Sequence, residues 1–244
     1  MERGAYSNRK YREQLRPDDL VAFEVTVAET NLFICAQRDL SELATRLVRK
    51  ARGDIESYAA ERPAFYKSLE PLEWEQGAPD IIRRMCEAGQ AAGVGPMAAV
   101  AGAIAEVVAS GVLQKSDEVI VENGGDVFLA GSRERIVAIW AGSSKLSQRV
   151  GLRIPAESLP LAVCTSSGKV GHSLSLGRAD AAVVVAERGG LADAAATAVA
   201  NLVQAPEDVE RALESGKQIA GVQQVVVIAG EALGAWGQYE LVPL

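Results

Sequence analysis

Aromatic residues are scarce in this chain of 244, at 5%: four Phe, five Tyr and three Trp. A core that cannot rely on large rings must be filled by Ala, Val, Leu and Ile, which suits helices packed closely on a sheet. Histidine occurs once, at His172, and cysteine three times, at Cys35, Cys86 and Cys164. An odd cysteine count without CxxC or zinc-type spacing argues against a disulfide framework and a structural zinc site, and fits buried thiols in a reducing compartment. Positive charge does not cluster, and the net charge is −7, so no nucleic-acid partner is expected. The nearest approach to a basic run, Arg9, Lys10, Arg12 and Arg16, is offset by Glu13, Asp18 and Asp19 and reads as a solvated N-terminal arm over residues 1–19. No apolar run is long enough to cross a bilayer; the stretch from Met97 to Leu113 comes closest and is interrupted by Gly102, Glu106 and Ser110. Met1 to Leu15 shows neither an apolar signal core nor a lipobox cysteine, so a cytoplasmic location without a membrane partner is expected. A GxGxxG after a strand and a Walker loop are both missing, which removes the two commonest nucleotide fingerprints.

What remains is a chain that is 48% hydrophobic and 23% charged, enough apolar material for one large core and one domain over residues 1–244. Residues 20–36 alternate and predict a β-hairpin turning at Glu29-Thr30-Asn31. A helix is predicted from Ser41, as its N-cap, to Tyr58, with Leu43, Leu47, Ala51 and Ile55 on one stripe. Pro63, Pro71 and Pro79 mark residues 63–79 as an ordered internal loop. A helix with Ile82, Met85 and Cys86 inward follows, then the break Gly93-Val94-Gly95-Pro96 and a small-residue helix from Met97, with Pro96 suited to the first turn. The second half carries strand-like runs at 118–122, 127–131, 136–141, 150–154, 161–165, 181–186 and 222–228, with helices near 191–203 and 206–215. Short strands with few long helices predict an α+β fold, a mixed α/β sandwich, and not a Rossmann fold.

Three polar segments follow apolar runs. Asn123-Gly124-Gly125-Asp126 flanks bare backbone with an amide and a carboxylate, and Asn-Gly is also a strong hairpin-turn signal. Thr165-Ser166-Ser167-Gly168 offers three hydroxyls in a small space, as an anionic ligand requires, and His172 follows closely. Asp193 and Thr197 stand one helical turn apart, so a carboxylate and a hydroxyl point the same way, a donor pair for a hard cation such as Mg²⁺; a purely local capping role is the alternative. Together they predict one site for a phosphate-bearing small molecule, with a metal rather than a basic patch neutralising the phosphate.

The same segments resemble the ApbE superfamily, the FAD:protein FMN transferases. Its members carry, in this order, an NxGGD-type loop, an ATSG-type strand end, a histidine soon after, and an ADALAT-type helix. Here these stand as Asn123–Asp126, Cys164–Gly168, His172 and Ala192–Thr197, a match spanning roughly residues 90–205. A short branch of that superfamily is similar almost end to end, through GVGPMAAVAGAIAE, VENGGD, CTSSGKVGHSLSLGRADA and LADAAATAVAN. The resemblance implies Asp193 and Thr197 as metal ligands, Asn123, Gly124, Gly125 and Asp126 with Thr165, Ser166, Ser167 and Gly168 lining a pocket for FAD or FMN, and His172 with Asp193 as catalytic groups. It implies a Mg²⁺-assisted transferase or hydrolase. Two positions depart from the transferases: Pro96-Met97 replaces their lysine, and Ser173–Gly177 replaces their D-P-x-T-G-like segment. Members of the short branch are linked to sulfur assimilation and homocysteine formation, which implies, as the alternative, an accessory protein with Cys164 as its one sulfur-bearing residue. Long Ala/Val helices also pack as well between subunits as within one, leaving a homodimer or a structural scaffold open.

Overall fold

The computed structural model describes residue 12, residues 17–168 and residues 176–244. Eight strands form one sheet in the order β1-β2-β3-β4-β7-β8-β9-β10. They are β1 (Val21–Val27), β2 (Thr30–Ala36), β3 (Val119–Asn123), β4 (Asp126–Ala130), β7 (Leu161–Ser166), β8 (Ala181–Ala186), β9 (Val222–Ala229) and β10 (Ala232–Gly237). Every neighbouring pair is antiparallel, so the architecture is α+β. The chain leaves this sheet after β4 and builds a three-stranded antiparallel sheet, β11-β6-β5, from β5 (Arg135–Ala138), β6 (Val150–Ile154) and the C-terminal β11 (Glu240–Pro243).

Strand alternation divides the core in two. In β8, Ala182, Val184 and Ala186 face the helices, while Ala181, Val183 and Val185 face the small sheet. That double burial explains why β8 reads as an unbroken apolar run. The helical layer consists of α1 (Ser41–Glu61), α2 (Pro63–Lys67), α3 (Asp80–Ala92), α4 (Val100–Val112), α5 (Gly189–Asn201) and α6 (Val209–Lys217), with a 3₁₀ turn at Pro96–Ala99 leading into α4. The main sheet thus lies between helices and a minor sheet. Among the described residues no single helix is long and apolar enough to cross a membrane.

Several local expectations shift. The first hairpin turns on Ala28-Glu29, with Val27 paired to Thr30 and Ala28 at φ +49°, so Thr30 and Asn31 already belong to β2. Ser41 is the first residue of α1 and Leu40 its N-cap, while Asp39 just before them accepts the Ser41 amide at 2.8 Å. The buried line of α1 is Ala44, Val48, Ala51, Ile55 and Tyr58, with Leu43 and Leu47 on its flank. Residues 63–79 begin with a helical turn that buries Phe65 edge-on against Tyr58, ring centres 5.1 Å apart.

The N-terminal arm is not wholly solvated. Arg12 is only 3% exposed; its guanidinium pairs with Glu122 on β3 at 2.5 Å, bonds Asn31 Oδ1 at 2.5 Å and lies 5.6 Å from the centre of the Phe33 ring. The reason is electrostatic: Glu122 is buried at the foot of the β3–β4 turn and needs a partner there.

Candidate functional site

The β3–β4 turn is built by pairing Asn123 with Asp126 across Gly124 and Gly125, which stand at φ +67° and +111°. A two-residue turn of this hand requires positive φ at both centres, which only glycine adopts freely. The Asn-Gly hairpin signal is therefore met at this turn. Because residues alternate, Asn123 and Asp126 lie on the helix side of the sheet with Val121 and Phe128. Glu122 Oε1 steadies the turn from beside it by accepting the Gly125 amide at 2.9 Å.

The Asn123 side chain donates to the carbonyl of Ala101 in the first turn of α4, at 3.0 Å. Asp193 of α5 meets the other end of the same peptide group, accepting the Gly102 amide at 2.9 Å. Both side chains thus converge on the start of α4, where helix amides lack intrahelical partners and favour a carboxylate. Asp126 reaches the same region from the sheet. Its Oδ1 accepts the Thr165 amide at 3.2 Å.

Electrostatics single this place out. Burial pushes the Asp126 carboxyl well above the usual carboxylate range, and the charge of Asp193 adds to the shift. Asp193 is pushed up to about 7 by burial, against the pull of the Gly102 and Ala101 amides. Cys164 is fully buried, and burial together with Asp126 and Asp193 drives its thiol far upward. A neutral, inaccessible thiol is a poor sulfur carrier.

The strand end at 165–167 divides. Ser166 is buried on the helix face with Cys164, whereas Thr165 points to the opposite face of β7 and contributes only its amide to Asp126. Ser167 and Gly168 are both tied to the Ala179 carbonyl, at 3.3 and 3.0 Å. Thr197 is buried one turn beyond Asp193 on α5. His172 lies outside the described residues.

Among the described residues no three His, Cys, Asp or Glu side chains gather as metal ligands. A hard cation at Asp193 and Thr197 would hold few protein oxygens and complete its shell elsewhere, which is the ordinary habit of Mg²⁺. The donor set fits such an ion, because half-buried Asp193 and buried Thr197 offer a carboxylate and a hydroxyl oxygen one helical turn apart.

Three participants escape a sequence reading. The α4 amides carry no side-chain signature. Arg12 lies far from Glu122 in sequence. Glu106, whose Oε2 accepts the Gly189 amide at 2.7 Å, had one signal, a lone acid within an otherwise apolar helix.

A family model described as AbpE bacteria matches residues 12–240. The chain belongs to that family. A UPF0280 protein of Methanococcus aeolicus is 38% identical over 221 residues, covering 88% of this chain and 89% of its own. The UPF0280 protein MK0206 of Methanopyrus kandleri is 40% identical over 226 residues, covering 90% and 91%. Among solved structures, the flavin transferase ApbE from Vibrio cholerae superposes with a TM-score of 0.59 at 13% identity, over 90% of this chain and 97% of that one. The apo flavinyl transferase ApbE of Pseudomonas stutzeri gives 0.57 at 12%, over 91% and 95%. At such identities the likeness shows a shared fold. Asn123 of the turn and Asp193 of α5 bond the first turn of α4, and the end of β7 joins them through Asp126 and Gly189.

Proposed function

We propose that this member of the family binds a phosphate-bearing flavin or other nucleotide together with Mg²⁺ and acts on it as a transferase or hydrolase. The observation that carries the reading is geometric: Asp193 and Asn123 close on one peptide group at the start of α4, while Asp126 beside them accepts the Thr165 amide at the end of β7; burial raises both carboxyls, and the charge of Asp193 raises Asp126 further. Like charges so placed are at a disadvantage until a cation joins them. A chain of net charge −7 that takes a phosphate likewise needs local positive charge, and one ion serves both needs.

In this reading Asp193 and Thr197 hold the cation. The Asn123–Asp126 turn and the segment Ser166–Gly168 line the ligand, and His172 serves as acid or base. When bound, Mg²⁺ supplies charge neutralisation at the phosphate oxygens. Asn123 orients the site by fixing the α4 start through the Ala101 carbonyl. The solved relatives named flavin transferases support a flavin as the first ligand to try.

Calorimetry with FAD, FMN and ADP, each with and without Mg²⁺, tests this. Saturable binding that needs Mg²⁺ is expected for at least one of them. Heat of dilution alone in all six titrations rejects the reading.

A further inference from the structure

Helices α4 and α5 carry the same short pattern, a glycine followed four residues later by an acid: Gly102 and Glu106 in α4, Gly189 and Asp193 in α5. Four residues is about one turn, so in each helix the acid stacks over its glycine on one face. The two faces meet glycine to glycine. A Cβ on Gly102 would fall 2.1 Å from the Gly189 carbonyl oxygen, and one on Gly189 would fall 2.3 Å from that of Gly102. The contact is reciprocal in hydrogen bonding as well. Asp193 of α5 accepts the Gly102 amide of α4 at 2.9 Å, and Glu106 of α4 accepts the Gly189 amide of α5 at 2.7 Å.

Glu106 is not free to wander. Its other oxygen is paired with Arg84 of α3, and Arg84 is itself bonded to Asp80 at 2.5 Å. Glu106 is 7% exposed, and its one bond into α5 falls at the opening residue, where the amide has no partner inside the helix. The Gly189 carbonyl, on the same residue, accepts the Cys164 thiol at 3.7 Å. The beginning of α5 is therefore gripped between Glu106 and the strand beneath it, and Asp193 lies one turn further along the gripped segment.

We propose that Glu106 is a positioning residue for Asp193: by holding the Gly189 amide it sets where α5 begins, and hence where the Asp193 carboxylate sits over the first turn of α4. This rests on the cation-binding reading of Asp193 for its functional meaning, but the mechanical coupling stands on the geometry. Removal of the Glu106 carboxylate releases α5 from α4 at one end of the clasp. The Asp193–Gly102 bond at the other end then loosens, though neither residue has been altered.

Two measurements on the full chain separate the claims. Amide exchange by NMR is followed at Gly102 and Gly189 under native conditions in wild type, Glu106→Ala and Glu106→Gln. In the same proteins, Mn²⁺ alone is titrated and free ion is counted by electron paramagnetic resonance. The expected result is faster exchange at both Gly102 and Gly189 in Glu106→Ala, with Mn²⁺ affinity lower by about 10–100-fold, the usual cost of losing a group that orients a ligand. Glu106→Gln, which keeps an acceptor oxygen for Gly189, restores most of both. Faster exchange at Gly189 alone, with unchanged Mn²⁺ affinity, overturns the proposal. If wild type takes up no Mn²⁺, the cation reading fails, while exchange at Gly102 still judges Glu106. Should Glu106→Ala not fold, Glu106→Asp decides instead: it keeps the charge but is one methylene short, so it loosens Gly102 if Glu106 positions α5 and leaves Gly102 unchanged if it does not.

Discussion

Gly102 and Gly189 stand back to back where α4 crosses α5, with no room for a side chain on either. That contact fixes the distance between the two helices whose first turns form the floor of the candidate site. Small-residue helices allow such an approach, and the poverty in aromatics is consistent with a core assembled from it.

Gly102→Ala therefore forces the helices apart. Overpacking of this kind costs about 1–3 kcal/mol, and here the obstacle is backbone carbonyl that cannot rotate away. Urea denaturation is expected to show a loss in that range. A change below about 0.5 kcal/mol, the size of an ordinary surface substitution, would mean that the crossing adapts.

Arg12 tethers the N-terminal arm to the site hairpin through Glu122. Removing one member of a buried pair leaves the other charge stranded, at a cost of about 3–5 kcal/mol. Arg12→Ala is expected to lose stability on that scale in the same denaturation experiment. Little or no loss would place the arm outside the folded unit.

Much of the sheet was legible in the sequence because its strands are locally decisive. The run Ala181–Ala186 is apolar on both faces, and Asn-Gly-Gly-Asp can close a turn without help from elsewhere. Strand β10 was not legible: its Ala-Leu-Gly-Ala-Trp-Gly run lies at the sheet edge, half exposed and interrupted by glycine. Strand β11 is four residues long, ends in proline, and exists only through its pairing with β6. In the site, Asn123, Asp126 and Asp193 could be named because polar groups after apolar runs stand out. The peptide group that Asn123 and Asp193 share, in the first turn of α4, could not, and nor could the Thr165 amide that Asp126 accepts, since peptide groups have no sequence signal. Thr165 shows the limit of reading a hydroxyl run as a unit, because strand alternation sends neighbours to opposite faces.

Asp193 also predicts a pH dependence. Its folded value, about 7, lies above its ordinary 3.8. Between those values the native state binds the proton more tightly than the unfolded chain does. Stability of cation-free protein should accordingly fall as pH rises from about 4 to about 7, the direction and window required by linkage. Carboxylates held low, Asp19 by Arg135 and Glu118 by the amide and hydroxyl of Ser132 and then by Arg135, act at the acid end of this range and below, and with the opposite sign. Thermal melts in EDTA are expected to show the decline in wild type and a flatter profile in Asp193→Asn. Equal slopes in both would assign the dependence to other groups.

Cys35, Cys86 and Cys164 are all buried, and burial raises Cys86 to about 11 and pushes Cys164 well above the ordinary thiol range. Native protein at neutral pH is expected to react negligibly with an aromatic disulfide reagent, and all three thiols should react in guanidinium. A rapid native reaction would contradict the packing around β7 and α3.

Flavin fluorescence, titrated with wild type and with Asp193→Asn in Mg²⁺ and again in EDTA, tests the central claim most directly. Saturable quenching by wild type in Mg²⁺, abolished by either the substitution or the chelator, is the expected outcome. Quenching of equal strength in all four titrations, or in none, contradicts a cation-dependent nucleotide site at Asp193.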